Sequence, residues 1–154
     1  IAEAFSEVVA AAGPIVLVPA QEDSWRQCDA TPEARANRDG ILSGEQDVWL
    51  AACSGFDRSP FGDPGEPCPQ PFWGCLECRN AVITARKLPA IIAFLRFIEE
   101  QRAGLSAADW AMKFGRAHAR IAGQVLPAFP DSVVAAARRE AEVHALYLPP
   151  EARQ

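Results

Sequence analysis

The sequence predicts a mainly α-helical fold, in which an antiparallel unit of about three helices follows a cysteine-rich loop segment with little strand. Two observations predict it. After Asn80, apolar residues recur every three or four positions along three stretches of the chain, which is the spacing of one helix face. Before Asn80, residues 54–74 are rich in glycine, proline and serine, which favour turns and exclude regular structure.

The first of the three helices is predicted to begin at Leu88-Pro89, because proline is favoured at the first helical position. Gly104 suits the position that follows its end. Its apolar face consists of Ile91, Phe94, Leu95 and Ile98. These residues predict a helix that buries one side in a core.

The second helix is predicted to begin at Ser106, which forms a capping box with Asp109. Its apolar face consists of Trp110, Phe114, Ala117, Ile121 and Val125. The third begins at Pro130-Asp131-Ser132, is closed by Pro149-Pro150, and carries on one side Val133, Ala137, Ala141 and His144. Short connections between the three predict an antiparallel unit.

The N-terminal part is more weakly specified. Residues 3–12 are interpreted as the end of a helix that Gly13-Pro14 stops, and Ile15 to Val18 as a short strand. Between residues 21 and 44 polar residues and turn formers dominate. We expect there no more than one or two helical turns, around Glu33 to Asn37 after Thr31-Pro32.

Length and composition predict one soluble domain, since the chain has 154 residues, of which 49% are apolar and 23% charged. It divides into an acidic segment at 1–48, a cysteine-rich segment at 49–80 and a helical segment at 81–154. No stretch approaches the roughly 18 consecutive apolar residues of a membrane span. Because no secretory signal is present and the chain opens with Ile1, we expect a cytoplasmic fragment of a longer protein.

Charge is unevenly distributed. Residues 1–80 hold 13 acids and 5 bases, a net of -8, whereas residues 81–154 hold 7 acids and 10 bases, a net of +3. The acidic total argues against DNA binding by the chain alone, because that binding depends on neutralised phosphates. Contact with DNA or a partner would come from five basic residues of the second half: Lys113, Arg116, Arg120, Arg138 and Arg139. The alternative interpretation is that these residues form solvated helix faces.

Four of the five cysteines lie within 26 residues, with 14, 6 and 2 residues between them: Cys53, Cys68, Cys75 and Cys78. A C-x-x-C turn lets two thiolates reach one metal ion, and Zn²⁺ prefers four such ligands in a tetrahedron. A metal crosslink would order a loop that its glycine- and proline-rich composition leaves without regular structure. The sequence therefore predicts that zinc stabilises the cysteine-rich loop.

Other uses of the thiols stay open. Two disulfides are disfavoured by the fifth cysteine, Cys28, and by the missing signal sequence. A redox dithiol at Cys75 and Cys78 is disfavoured because no clear strand precedes the motif. Cys28, His118 or His144 could take the place of one metal ligand, although a histidine that packs in or beside a core is the plainer interpretation.

One stretch resembles a known family. Ala52-Cys53, Ser59-Pro60, Gly65 to Cys68, Leu88-Pro89 and the run from Cys75 through Arg79-Asn80 to Thr84 resemble the C-terminal region of large bacterial site-specific integrases related to tyrosine recombinases. The resemblance covers residues 50–130. It implies that the four clustered cysteines are metal ligands, that Arg79 and Asn80 are motif residues, and that a DNA-cleaving domain precedes this segment.

The resemblance supplies no catalytic residue. Such recombinases use arginines, a His-x-x-Arg pair and a tyrosine nucleophile, whereas this chain has no His-x-x-Arg and its one tyrosine is Tyr147. The leading hypothesis is therefore a non-enzymatic, zinc-binding accessory domain of an integrase, which aids DNA positioning or assembly into homo-oligomers and has no small-molecule substrate. A thiol redox protein and a stand-alone protein-interaction module are the alternatives.

Overall fold

A computed structural model describes residues 13–70 and 72–144 of the chain. The chain divides into two compact units, Ile1–Thr84 and Ala85–Gln154. The described residues are mainly helical, as predicted, with one small three-stranded sheet. Among these residues, no helix is both long and apolar enough to span a bilayer. The helix end expected at residues 3–12 and the stop at Pro149-Pro150 lie outside them, and one domain stays a prediction.

The sheet of the first unit has the order β1-β3-β2. Strand β1 (Ile15–Val16) is parallel to the central strand β3 (Ala81–Ile83), and β2 (Ala52–Cys53) is antiparallel to β3. All three residues of β3 are buried, as expected for a strand with a neighbour on each side. The strand predicted from Ile15 to Val18 is confirmed for its first two residues.

The prediction of no more than two helical turns between residues 21 and 44 is wrong. Two helices occupy this region, α1 (Pro19–Gln27) and α2 (Pro32–Ser43). Both begin with proline, and the Thr31 hydroxyl accepts a hydrogen bond from the Ala34 N–H at 3.2 Å. α1 buries no residue completely. The two helices are therefore specified by their ends and not by an apolar periodicity.

Arg38 joins these two helices. The residue is 7% exposed, and its Nη1 donates to the carbonyl oxygens of Trp25 at 3.0 Å and Cys28 at 2.9 Å. These carbonyls lie at the C-terminal end of α1, where the last carbonyls of a helix lack intrahelical partners and favour a cation.

We expect Arg38→Met to lower the free energy of unfolding by about 1.5–3 kcal/mol, because two carbonyls would lose a charged donor. Urea unfolding followed by circular dichroism measures this change. Arg35→Met on the exposed side of α2 is the matched control. Equal midpoints for the two variants would contradict a capping role for Arg38.

The core of the first unit lies on the sheet. Ile41, Ala52 and Val82 are buried together, and the partly exposed Leu17 and Trp25 pack against them. These residues come from α1, α2, β2, β3 and the position after β1, so the two short helices cover the sheet. This packing fixes the positions of β2, which ends at Cys53, and of β3, which follows Cys78.

The second unit confirms the three predicted helices. α3 spans Leu88–Glu100. The next helical segment runs through α4 (Ala107–Trp110), a π-helical turn at Ala111–Gly115, α5 (Arg116–Arg120) and a second π-helical turn at Ile121–Val125. α6 spans Asp131–His144. α3 packs against α6.

Aromatic contacts join α3 to the segment that contains α4 and α5. The indole N–H of Trp110 donates to the carbonyl of Ile98, and the ring of Phe114 contacts those of Phe94 and Phe97. These contacts pack the segment against the C-terminal half of α3, and the antiparallel arrangement of the helices stays a prediction.

Glu99 lies at the end of α3, where it accepts a hydrogen bond from Arg102 Nε at 3.0 Å and contacts His118. The hydrogen bond with His118 is the largest cause that lowers the pKa of Glu99 below its ordinary value of 4.5. Because the folded chain then binds fewer protons than the unfolded chain, the stability from this pair is present above pH 4.5 and lost as pH falls through the lowered pKa.

We therefore expect Glu99→Gln to remove part of the loss of thermal stability that the chain shows in acid. Melting temperatures between neutral pH and about pH 3 measure this effect, which spans the range where carboxylates titrate. Glu100→Gln, at the exposed neighbouring position, controls for the loss of one negative charge. Parallel pH curves for wild type and Glu99→Gln would show that the contact contributes nothing.

Candidate metal centre

The strand pairing brings Cys53 and Cys78 to one end of the sheet. Cys53 ends β2 and lies opposite Ala81, the first residue of β3. The Ser54 N–H donates to the carbonyl of Asn80 at 2.9 Å, and the Ala81 N–H donates to the carbonyl of Cys78 at 3.2 Å. The pairing therefore ends in a turn that holds Cys78 beside the end of β2.

A tight turn adds Cys75 to this pair. The 3₁₀ helix Phe72–Glu77 precedes β3, and the Cys78 N–H donates to the carbonyl of Cys75 at 3.2 Å. Leu76 between them is completely buried. Removing this side chain from water stabilises the turn between the two thiols.

Ser59 connects the fourth cysteine to the loop. The Cys68 thiol donates to the Ser59 hydroxyl oxygen at 3.3 Å, and the Phe61 N–H donates to the same oxygen at 3.1 Å. Ser59 is 8% exposed, which is rare for a serine in a loop. Because the buried Ser59 hydroxyl accepts both hydrogen bonds, it holds Cys68 close to Ser59 and Phe61.

All four clustered cysteines line one cavity of about 410 Å³. Its apolar wall includes Val48, Trp49, Phe56, Phe61 and Ala81. Cys28 is not part of this lining: its thiol is exposed and donates to the carbonyl of Ser24 at 3.3 Å. The structure therefore brings together the four cysteines that the spacing predicted as ligands and separates them from the fifth.

Two of the sulfurs accept backbone hydrogen bonds in the same local arrangement. The Asn80 N–H donates to Cys78 Sγ at 3.4 Å, and the Gly55 N–H bonds to the Cys53 thiol, which opposes part of the rise that burial causes in the pKa of that thiol. Each donor lies two residues after its cysteine. An N–H directed at sulfur favours the thiolate over the thiol, and a metal ligand must be a thiolate.

The Asn80 side chain has a role that the sequence did not reveal. Its Nδ2 donates to the carbonyl oxygens of Gly55 at 3.1 Å and Arg58 at 3.0 Å. Asn80 thus holds the turn after Cys53 against the residues after Cys78. Its position two residues after a C-x-x-C pair was the available signal, whereas Ser59 was noted only as part of the family resemblance and Gly55 carried no signal.

Burial and mutual repulsion govern the charge of the thiols. Burial first, and then the charges of Cys78, Cys53 and Cys68, raise the pKa of Cys75 to about 12. Burial also raises the pKa of Cys53, and the charges of Cys78, Cys68 and Asp57 add to it. The thiols therefore interact as one group, and a nearby cation would lower both pKa values.

The thiols do not meet at one ion-sized point. Across residues 13–70 and 72–144, no group of three or more His, Cys, Asp or Glu side chains is arranged to hold a metal ion. The site as described is a cavity with four thiols in its wall. A bound ion would require these side chains to converge on it.

The assembled site combines four thiols, two backbone donors to sulfur and an apolar wall. No protein-family model, no characterised protein and no solved structure matches the chain. The chemistry of the site is therefore interpreted from its own geometry.

The five bases predicted to contact DNA or a partner lie in the second unit. Lys113 and Arg116 are exposed in the segment that contains α4 and α5, while Arg120 is half-buried and bonds to Gln124. The other two, exposed on α6, are Arg138 and Arg139. His118 also belongs to this unit, where it contacts Glu99.

Proposed function

We propose that this chain is a non-catalytic, zinc-stabilised module in which one Zn²⁺ is held by Cys53, Cys68, Cys75 and Cys78. The observation that carries the proposal is the shared cavity, because four cysteines spread over 26 residues line the same space. Four thiolates around one ion form the commonest type of closed, structural zinc site. Such a site leaves no open position for substrate.

The residues around the thiols fit a cation. A bound Zn²⁺ would replace the thiol protons and offset the burial and the repulsion that together raise the pKa of Cys75 to about 12. The N–H groups of Gly55 and Asn80 already favour thiolates at two of the four positions. The cavity between the thiols supplies the space into which they can converge.

The electrostatics argue against the thiol redox alternative. A reactive dithiol needs a thiolate of lowered pKa in an exposed, electropositive environment. Here the pKa of Cys75 is raised to about 12 and Cys78 is 7% exposed. A thiol whose pKa is raised so far is protonated at neutral pH and reacts slowly with oxidants.

The resemblance to integrases supports an accessory role in DNA recombination, in which the zinc module aids assembly or the positioning of a DNA-cleaving domain. The basic side chains of the second unit are the candidate DNA contacts. Arg116→Glu/Arg120→Glu should weaken DNA binding in a gel-shift assay, with Arg138→Glu/Arg139→Glu as the equally charged comparison. If no variant changes DNA binding while mass depends on concentration, the role is assembly.

The zinc proposal is tested by metal analysis of the purified chain. We expect one zinc ion per chain, which is lost in Cys75→Ser and retained in Cys28→Ser, because the Cys28 thiol lies outside the cavity. Thiol counting before and after chelation should unmask the four clustered cysteines. Absence of metal, or equal metal in the two variants, would overturn the proposal.

A further inference from the structure

Two exposed phenylalanines lie at the mouth of the cysteine cavity. Phe56 is 53% exposed and Phe61 is 42% exposed, yet both line the cavity together with Val48 and Trp49. Exposed aromatic side chains grouped at a concave surface with charged neighbours mark a binding site more often than a packing defect. A metal site formed by the four cysteines does not require exposed aromatic rings at this position.

The loop presents the two rings in a fixed arrangement. The Gly65 N–H donates to the carbonyl of Asp57 at 2.9 Å, so the far side of the loop folds back onto the residue after Phe56. The Gly62 N–H donates to the carbonyl of Ser59 at 3.4 Å. A preorganised surface loses less conformational entropy when a partner binds.

The loop that carries the rings is acidic, and its acidic side chains are called the acidic rim. Residues 55–70 contain three acids and one base, and all four are exposed: Asp57, Asp63, Glu66 and Arg58. Asp57 lies close enough to Cys53 to raise the pKa of that thiol. Exposed aromatic rings on an acidic loop complement an apolar side chain that has positive charges on either side.

We propose that this surface, the cavity mouth with Phe56, Phe61 and the acidic rim, docks a basic segment of a protein partner through one apolar side chain. The acids would repel nucleic acid, whose binding depends on neutralised phosphates. The inference rests on the proposed function, because a metal held by the cysteines keeps the loop that carries both rings in place.

The test uses the purified chain and three fluorescein-labelled peptides, with binding followed by fluorescence anisotropy at low salt. The first peptide is Lys-Lys-Ala-Phe-Ala-Lys-Lys, the second has serine in place of phenylalanine, and the third has glutamate in place of lysine. The first should bind at least about tenfold more tightly than the other two, which corresponds to about 1.4 kcal/mol. The variant Phe56→Ser/Phe61→Ser should bind the first peptide at least about tenfold more weakly than the wild-type chain does.

Metal content measured on the same samples separates the two proposals. Peptide binding that is weak in a zinc-loaded chain overturns the docking surface and leaves the zinc site intact, whereas a metal-free chain overturns the zinc site. Asp57→Asn/Asp63→Asn should reduce the salt dependence of binding. Equal binding of the first two peptides, unchanged binding by the phenylalanine variant, or tighter binding of labelled single-stranded DNA would each overturn the docking proposal.

Discussion

Chelation of the metal should lower the stability of the first unit and open its loop to protease, while the helices of the second unit stay folded. A ligand that binds only the folded state contributes about 4 kcal/mol when its free concentration is a thousand times its dissociation constant. Most residues between Asp57 and Gln70 are exposed, so the loop has little apolar burial to replace the lost crosslink.

Limited trypsin digestion measures this effect directly, because Arg58 is the only basic residue between 54 and 74. Cleavage after Arg58 should accelerate on chelation and in Cys75→Ser, but not in Cys28→Ser. Mass spectrometry identifies the fragments. If cleavage at Arg58 proceeds at one rate with and without metal, the hydrogen bonds of Ser59 and Asn80 hold the loop by themselves and zinc has no structural role there.

The three helices of the second unit were predictable because their apolar faces bury strongly periodic side chains. Ile91, Phe94 and Ile98 are fully buried in α3, as their spacing predicted. Ser106 accepts the N–H of Asp109 at 3.1 Å, as the capping signal predicted. Local sequence pattern and tertiary packing agree in this part of the chain, so the helices could be predicted from the sequence.

The first unit was predictable only in part, since its decisive contacts are distant in sequence. Spacing alone identified the clustered cysteines, but the bonds from Asn80 to Gly55 and Arg58 span 25 and 22 residues. No local sequence pattern predicts contacts between residues so far apart in the chain. For a related reason α1 was missed, and α2 was predicted only as one or two turns after Thr31-Pro32. The two helices bury few apolar residues, and Arg38 stabilises them through carbonyls 10 and 13 residues away.

Phe114→Ala should be the most damaging single substitution in the second unit. The Phe114 side chain is 1% exposed, and its ring lies edge-on to Phe94 at 6.4 Å and to Phe97 at 6.2 Å between centroids. Removing a buried phenylalanine ring loses its transfer free energy and leaves a cavity. We expect the free energy of unfolding to fall by about 3–5 kcal/mol.

Urea unfolding followed by circular dichroism measures the loss, and Met112→Ala is the matched control because Met112 is 87% exposed two residues away. That variant should change stability by no more than about 0.5 kcal/mol. Zinc content should be the same in both variants, since the cysteines belong to the other compact unit. If Phe114→Ala also releases zinc, the two units fold as one cooperative structure, and the loop depends on the helices as well as on its metal.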